Sequence, residues 1–193
     1  MRKITTGLLT IVLLAGLGAF AWKACAAEDA AQPVEEKPAA GDAAAGGGAA
    51  GGECCKPGDT TPPLDLIKAT PKGGLHNPYN GDIAAIAAQG HKKYLSFSCN
   101  GCHGGGGGGG MCVPLTNDTF VYGPDDDTLF RLVALGTDEL KKQGYVRKGQ
   151  ETVVGPMPPF GTIIKTSDDL WKVIAWLRSV NPSSLAKADK PTQ

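Results

Sequence analysis

Cys99, Cys102 and His103, within Cys99-Asn100-Gly101-Cys102-His103, are the residues whose types and spacing most directly specify chemistry. Two thiols three positions apart can add to the two vinyl groups of one haem, and the next residue then offers an imidazole to the iron. The competing use of a Cys pair, a zinc or dithiol redox site, calls for a second pair or a thioredoxin-like βαβ pattern. The sequence offers neither. One covalently attached haem c is therefore the expected cofactor, with His103 as an axial ligand.

A sixth ligand must come from elsewhere in the chain. Met111 follows His103 by only eight residues, so reaching the far haem face would need a very tight wrap. His91 stands between Gln89-Gly90 and Lys92-Lys93 and reads as a solvated surface residue; His76, in a Gly-Gly-Leu-His-Asn-Pro loop, reads the same way. Met157 differs, because Gly155-Pro156-Met157-Pro158-Pro159-Phe160-Gly161 surrounds it with prolines that remove backbone freedom. Met157 is the expected ligand. A thioether stabilises reduced iron and raises the potential above that of bis-imidazole ligation. Filling the sixth position leaves no place for oxygen or peroxide, which favours electron transfer over catalysis. For the second nitrogen of His103 the expected partner is the carbonyl of Pro114, since ligating imidazoles usually donate to one.

Three main helices are expected to position these groups. The first runs from near Asp82 to about Leu95, with Ile83, Ile86, Ala87, Gly90 and Tyr94 along one face. The second starts in Asp125-Asp126-Asp127, where acids suit a helix N-terminus, and stops at Gly136 as a C-cap. Thr166 or Ser167 caps the third, Leu170, Val173, Ile174 and Leu177 form its stripe, and Asn181-Pro182 ends it. Trp171 and Trp176 on that helix are expected to pack in the core or near the haem. No useful strand-like alternation appears, so the fold class is all-α. The loops are long, and a large flat cofactor is a reason for chain to wrap without regular structure.

Around this domain, expected over 62–182, lie three other segments. Arg2 and Lys3, the apolar run Ile4 to Phe20 and Ala24-Cys25-Ala26 read as a secretory signal peptide over 1–26. Its loss would turn a formally neutral chain into one of charge −3. Residues 27–61 read as a disordered Ala/Gly-rich linker, and 183–193 as a flexible tail. The expected location is periplasmic, with no stable membrane insertion after cleavage. No basic block points to nucleic acid. Outside the leader and the haem motif, Cys54, Cys55 and Cys112 remain, and a bridge from Cys112 to Cys54 or Cys55 is expected in an oxidising compartment.

Helix, CxxCH, Pro-Leu, a methionine in a proline-rich loop and a last amphipathic helix together resemble class I cytochromes c over about Ile83 to Val180. A narrower likeness lies in Ser98 to His103, the seven glycines Gly104 to Gly110, Met111-Cys112 and Pro114-Leu115-Thr116-Asn117-Asp118-Thr119. Asp125 to Arg131 and Val154 to Gly161 extend it. These stretches resemble the cytochrome c(L)-like electron acceptors of PQQ-dependent, lanthanide-type methanol and alcohol dehydrogenases. The resemblance implies a non-enzymatic monohaem carrier that accepts electrons from such a dehydrogenase and passes them towards a downstream cytochrome or terminal oxidase. A generic carrier shares every haem residue, and a haem-based sensor would need an open sixth site. Lys141, Lys142, Arg147 and Lys148, in the loop before Met157, are expected to form a basic rim for docking.

Overall fold

The computed structural model describes residues 55–118, 120–149 and 155–190. Among them the regular structure is entirely helical: α1 (Pro63–Ala69), α2 (Ile83–Ser96), α3 (Asn100–His103), α4 (Asp126–Lys142), α5 (Ser167–Val180) and α6 (Pro182–Leu185). The three expected main helices are α2, α4 and α5. Among the described residues the fold class is all-α, as expected from the sequence. The signal peptide and most of the 27–61 segment, including Cys54, lie outside the described residues.

The scaffold rests on α2 crossing α5. Gly90 makes the crossing possible: a Cβ there would lie 1.9 Å from the Lys172 carbonyl oxygen and 2.8 Å from Trp176 Cβ. Glycine inside a helix costs about 1 kcal/mol relative to alanine. The close backbone approach it permits brings Tyr94 onto Trp176, with ring centroids 4.2 Å apart. On its other side α5 sends Leu170, Trp171 and Ile174 into the main core, where Trp171 meets Phe130 of α4 at 4.3 Å. Thr166 caps α5 by accepting from the Asp169 N–H, and Asp125 caps α4 by accepting from Thr128 N–H.

The acidic cluster does more than begin a helix. Asp126 pairs with Arg178 at 2.7 Å, both side chains being fully buried, and accepts from the Asn77 N–H. Asp127 pairs with Arg131 and accepts from the Tyr145 hydroxyl and the Leu75 N–H. These charges are tolerated in the interior because each has an ionic partner and further donors. They tie the 70–80 segment and α5 to the start of α4.

Two boundaries differ from expectation. Residues 56–61 pack on the domain: the Ser167 and Asp168 N–H groups donate to the Thr61 and Asp59 carbonyls, and the Gly58 N–H donates to Asp168. At the other end, Ser184 and Ala188 are buried, and the Ala188 carbonyl accepts from Asp126 N–H. The packed unit therefore extends beyond 62–182 on both sides. In α4, Gly136 breaks the helix as expected (φ 75°, ψ 169°), but the chain resumes helical geometry to Lys142.

Candidate haem site

Ser98, with φ 61°, turns the chain out of α2 and lets the Cys99 N–H reach the Tyr94 carbonyl at 3.2 Å. A non-glycine residue in this region costs about 1–2 kcal/mol; the turn it makes starts the next helical turn at Cys99. The His103 N–H donates to the Cys99 carbonyl at 3.1 Å and the Cys102 N–H donates to it at 3.3 Å. One turn thus sets Cys99, Cys102 and His103 on a shared side, as i, i+3 and i+4 positions. Gly104, with φ 76°, ends it; a Cβ there would meet the Gly109 carbonyl at 2.6 Å.

Cys99 is buried with Tyr94, Val173 and Trp176, and burial pushes its thiol up to about 11, so it keeps its proton at neutral pH. Cys102 and His103 are half-buried. The His103 Nδ1 lies 2.8 Å from the Val113 carbonyl oxygen. A carbonyl only accepts, so Nδ1 carries the proton and Nε2 keeps its lone pair for a metal. The acceptor is Val113 and not the expected Pro114. Proline holds the residue before it in extended backbone, and here it is that residue's carbonyl which faces the ring. Pro114 instead packs against the glycine run, 2.9 Å from where a Cβ on Gly109 would stand.

The seven glycines are an organised return path. The Gly109 N–H donates to the His103 carbonyl, the Cys112 N–H to the Cys102 carbonyl and the Leu115 N–H to the Gly107 carbonyl. Tyr94 donates its hydroxyl proton to the Gly104 carbonyl at 2.6 Å. His91, expected to be solvated, is instead half-buried: its ring stacks on Trp176 at 4.9 Å and its Nε2 is 2.8 Å from the Gly105 carbonyl oxygen. Its spacing from Tyr94, one helical turn along α2, was the available signal for that role.

Met157 stands on a separate support. Its N–H donates to Thr137 Oγ1 and its carbonyl accepts from Thr137 N–H, both at 2.9 Å. Because Gly136 interrupts α4, the Val133 and Ala134 carbonyls are left to accept from the Phe160 and Gly161 N–H groups. The helix break and the methionine loop complete each other. The rival donors are placed otherwise: Met111 is 61% exposed, and His76 lies 3.5 Å from the Asp189 carboxylate at the surface. Cys112 is not bridged to Cys55, which packs beside the main core; the alternative partner, Cys54, lies outside the described residues.

This donor set fits a haem. Two unbridged thiols share a turn with an imidazole whose Nε2 is free, and a half-buried thioether is held on a proline-stiffened loop. Residues 85–177 match the family model described as cytochrome C oxidase, cbb3-type, subunit III. Those residues form a c-type cytochrome domain. Its cofactor is accordingly haem c, which supplies a one-electron iron couple, and the cytochrome is an electron carrier. Among solved structures it is similar to cytochrome CL from the marine methylotrophic bacterium Methylophaga aminisulfidivorans, with 25% identity and a TM-score of 0.39. That likeness covers 55% of this cytochrome and 59% of the other chain, so under two thirds of the relative's length is spanned. No curated protein matches the chain. Among the described residues, no helix is long and apolar enough to cross a membrane.

Proposed function

We propose that this cytochrome is an exported, periplasmic carrier whose haem is attached through Cys99 and Cys102 and whose iron is held by His103 and Met157. It takes single electrons from a PQQ-dependent methanol or alcohol dehydrogenase and passes them towards a terminal oxidase. The observation that carries the ligand assignment is the pair of supports already described: Val113 leaves His103 Nε2 free, and Thr137 holds Met157. His103 and Met157 would together hold the iron, and a haem held by two protein ligands would supply electron exchange without binding a small substrate.

The partner rests on the run from Ser98 to Thr119 and the Val154 to Gly161 segment, which together resemble acceptors of such dehydrogenases. Export rests on the charged, apolar and small-residue pattern of residues 1–26. Lys141, Lys142, Arg147 and Lys148 are exposed, as a docking rim requires. Lys141 and Lys142 lie 3.9 and 3.3 Å from Asp138 and Glu139, but such exposed pairs are weak and leave the lysines able to steer a partner.

Stopped-flow mixing with a reduced PQQ methanol dehydrogenase tests the partnership. Direct reduction is expected, slowed by salt and by Lys141→Glu with Lys142→Glu, without change in the haem spectrum. Reduction no faster than by an unrelated dehydrogenase would leave only a generic carrier.

A further inference from the structure

The CxxCH motif uses two thiols, yet the structure brings a third to the same turn. The chain leaves His103, doubles back through the glycine run and lays Cys112 beside Cys102. The Cys112 N–H donates to the Cys102 carbonyl at 3.0 Å, and burial together with the neighbouring Cys102 thiol pushes the Cys112 thiol up. The adjoining residue, Val113, meets His103 in the same way. Two consecutive residues of the return segment therefore face two consecutive residues of the haem turn.

Glycine is what permits this return. Gly104, Gly107 and Gly109 have φ of 76°, 74° and 94°, and a Cβ on Gly110 would lie 3.1 Å from the Cys102 carbonyl oxygen. Cys99, on the same side of the turn, is buried among Tyr94, Val173 and Trp176, whereas Cys102 is half-buried beside the return segment. In the folded chain Cys112 is thus the natural thiol partner of Cys102.

We propose that Cys112 is a redox gate on haem attachment, closing a disulfide with Cys102 in the haem-free chain that must be reduced before Cys102 can react. This rests on Cys102 being an attachment thiol. Attachment adds S–H across a vinyl group: sulfur bonds to one vinyl carbon and the hydrogen goes to the other. A disulfide sulfur has no hydrogen to give. The gate closes by exchange with a disulfide oxidant such as oxidised glutathione. Cys102 and Cys112 lose two protons and two electrons, one S–S bond forms, and the oxidant's S–S bond breaks to give two thiols. A dithiol reductant reverses it. Once Cys102 is a thioether the bridge can no longer form, and Cys112 stays a thiol in the mature protein.

The test uses the full chain made haem-free, treated with oxidised glutathione and mapped by mass spectrometry without reduction. A Cys102–Cys112 linked peptide is expected as the main product; a Cys99–Cys102 bridge or a statistical mixture overturns the gate. In a second arm, wild type and Cys112→Ser are co-expressed with haem-maturation proteins under increasing thiol oxidation, and thioether bonds are counted. Wild type should lose most of its Cys102 thioether as oxidation rises, while Cys112→Ser keeps it. Equal losses in the two chains overturn the gate. Absence of a Cys102 thioether in both chains under reducing conditions overturns the attachment reading and the gate with it, whatever the linked peptide shows.

Discussion

Thr137 and Met157 exchange two hydrogen bonds of 2.9 Å, twenty residues apart in sequence. The exchange exists because Gly136 interrupts α4 at φ 75°, freeing the Thr137 N–H from the helix ladder. A Cβ on Gly136 would stand 2.8 Å from both the Met157 carbonyl oxygen and the Pro159 nitrogen. The helix break is thus shaped around the loop that presents the thioether.

Gly136→Ala should therefore displace the Met157 loop as well as strain the backbone. A non-glycine residue in left-handed geometry costs about 1–2 kcal/mol before the clash is counted. Thr137→Val removes one of the two hydrogen bonds and should cost about 1 kcal/mol. Both variants should admit cyanide to the ferric iron faster than wild type, Gly136→Ala by more. Cyanide-binding rates beside urea unfolding curves check this; unchanged rates in a destabilised Gly136→Ala would show that the break serves stability alone.

Gly90→Ala probes the helix crossing. The new methyl would meet the Lys172 backbone, which cannot swing aside as a side chain can. Losing the α2–α5 approach should outweigh the gain in helix propensity and cost about 3 kcal/mol, the upper end of ordinary overpacking. Denaturant unfolding of the holoprotein measures it. A change below 1 kcal/mol would mean that the helices separate without penalty.

Asp168 gives the stability an acid limb. Burial alone would raise its pKa, but hydrogen bonds from Lys172, Tyr79 and Gly58 outweigh this and hold the carboxyl below its ordinary 3.8. The unfolded chain then binds the proton first as pH falls. Its stabilisation is complete above the ordinary value and is lost as pH drops through it towards the folded one. Asp168→Asn should cost about 1–3 kcal/mol at neutral pH, and the difference from wild type should shrink below pH 4. Unfolding curves from pH 7 to pH 3 decide it; a constant difference would contradict the assignment.

The elements that were legible in the sequence are those written locally. Thr166 with Leu170, Val173, Ile174 and Leu177 declares α5 through a cap and a 3.6-residue stripe, and Cys99, Cys102 and His103 declare their turn by spacing alone. What stayed illegible depends on distant partners. Val113 and Pro114 are equally plausible acceptors until the return of the glycine run decides which carbonyl faces His103. His91, flanked by lysines, looks solvated because Trp176 lies 85 residues away in sequence. Asp59 joins the domain through its carbonyl's bond to the Asp168 N–H, which no composition signal records.

The ligand at the sixth position is tested most directly by the weak long-wavelength absorption band of methionine-ligated ferric haem, recorded in wild type, Met157→Ala and Met111→Ala. The band should be present in wild type, persist when the exposed Met111 is changed, and vanish with Met157, together with a fall in reduction potential. A band that survives Met157→Ala, or disappears with Met111→Ala, would contradict the assignment of His103 and Met157 as the iron's two axial ligands.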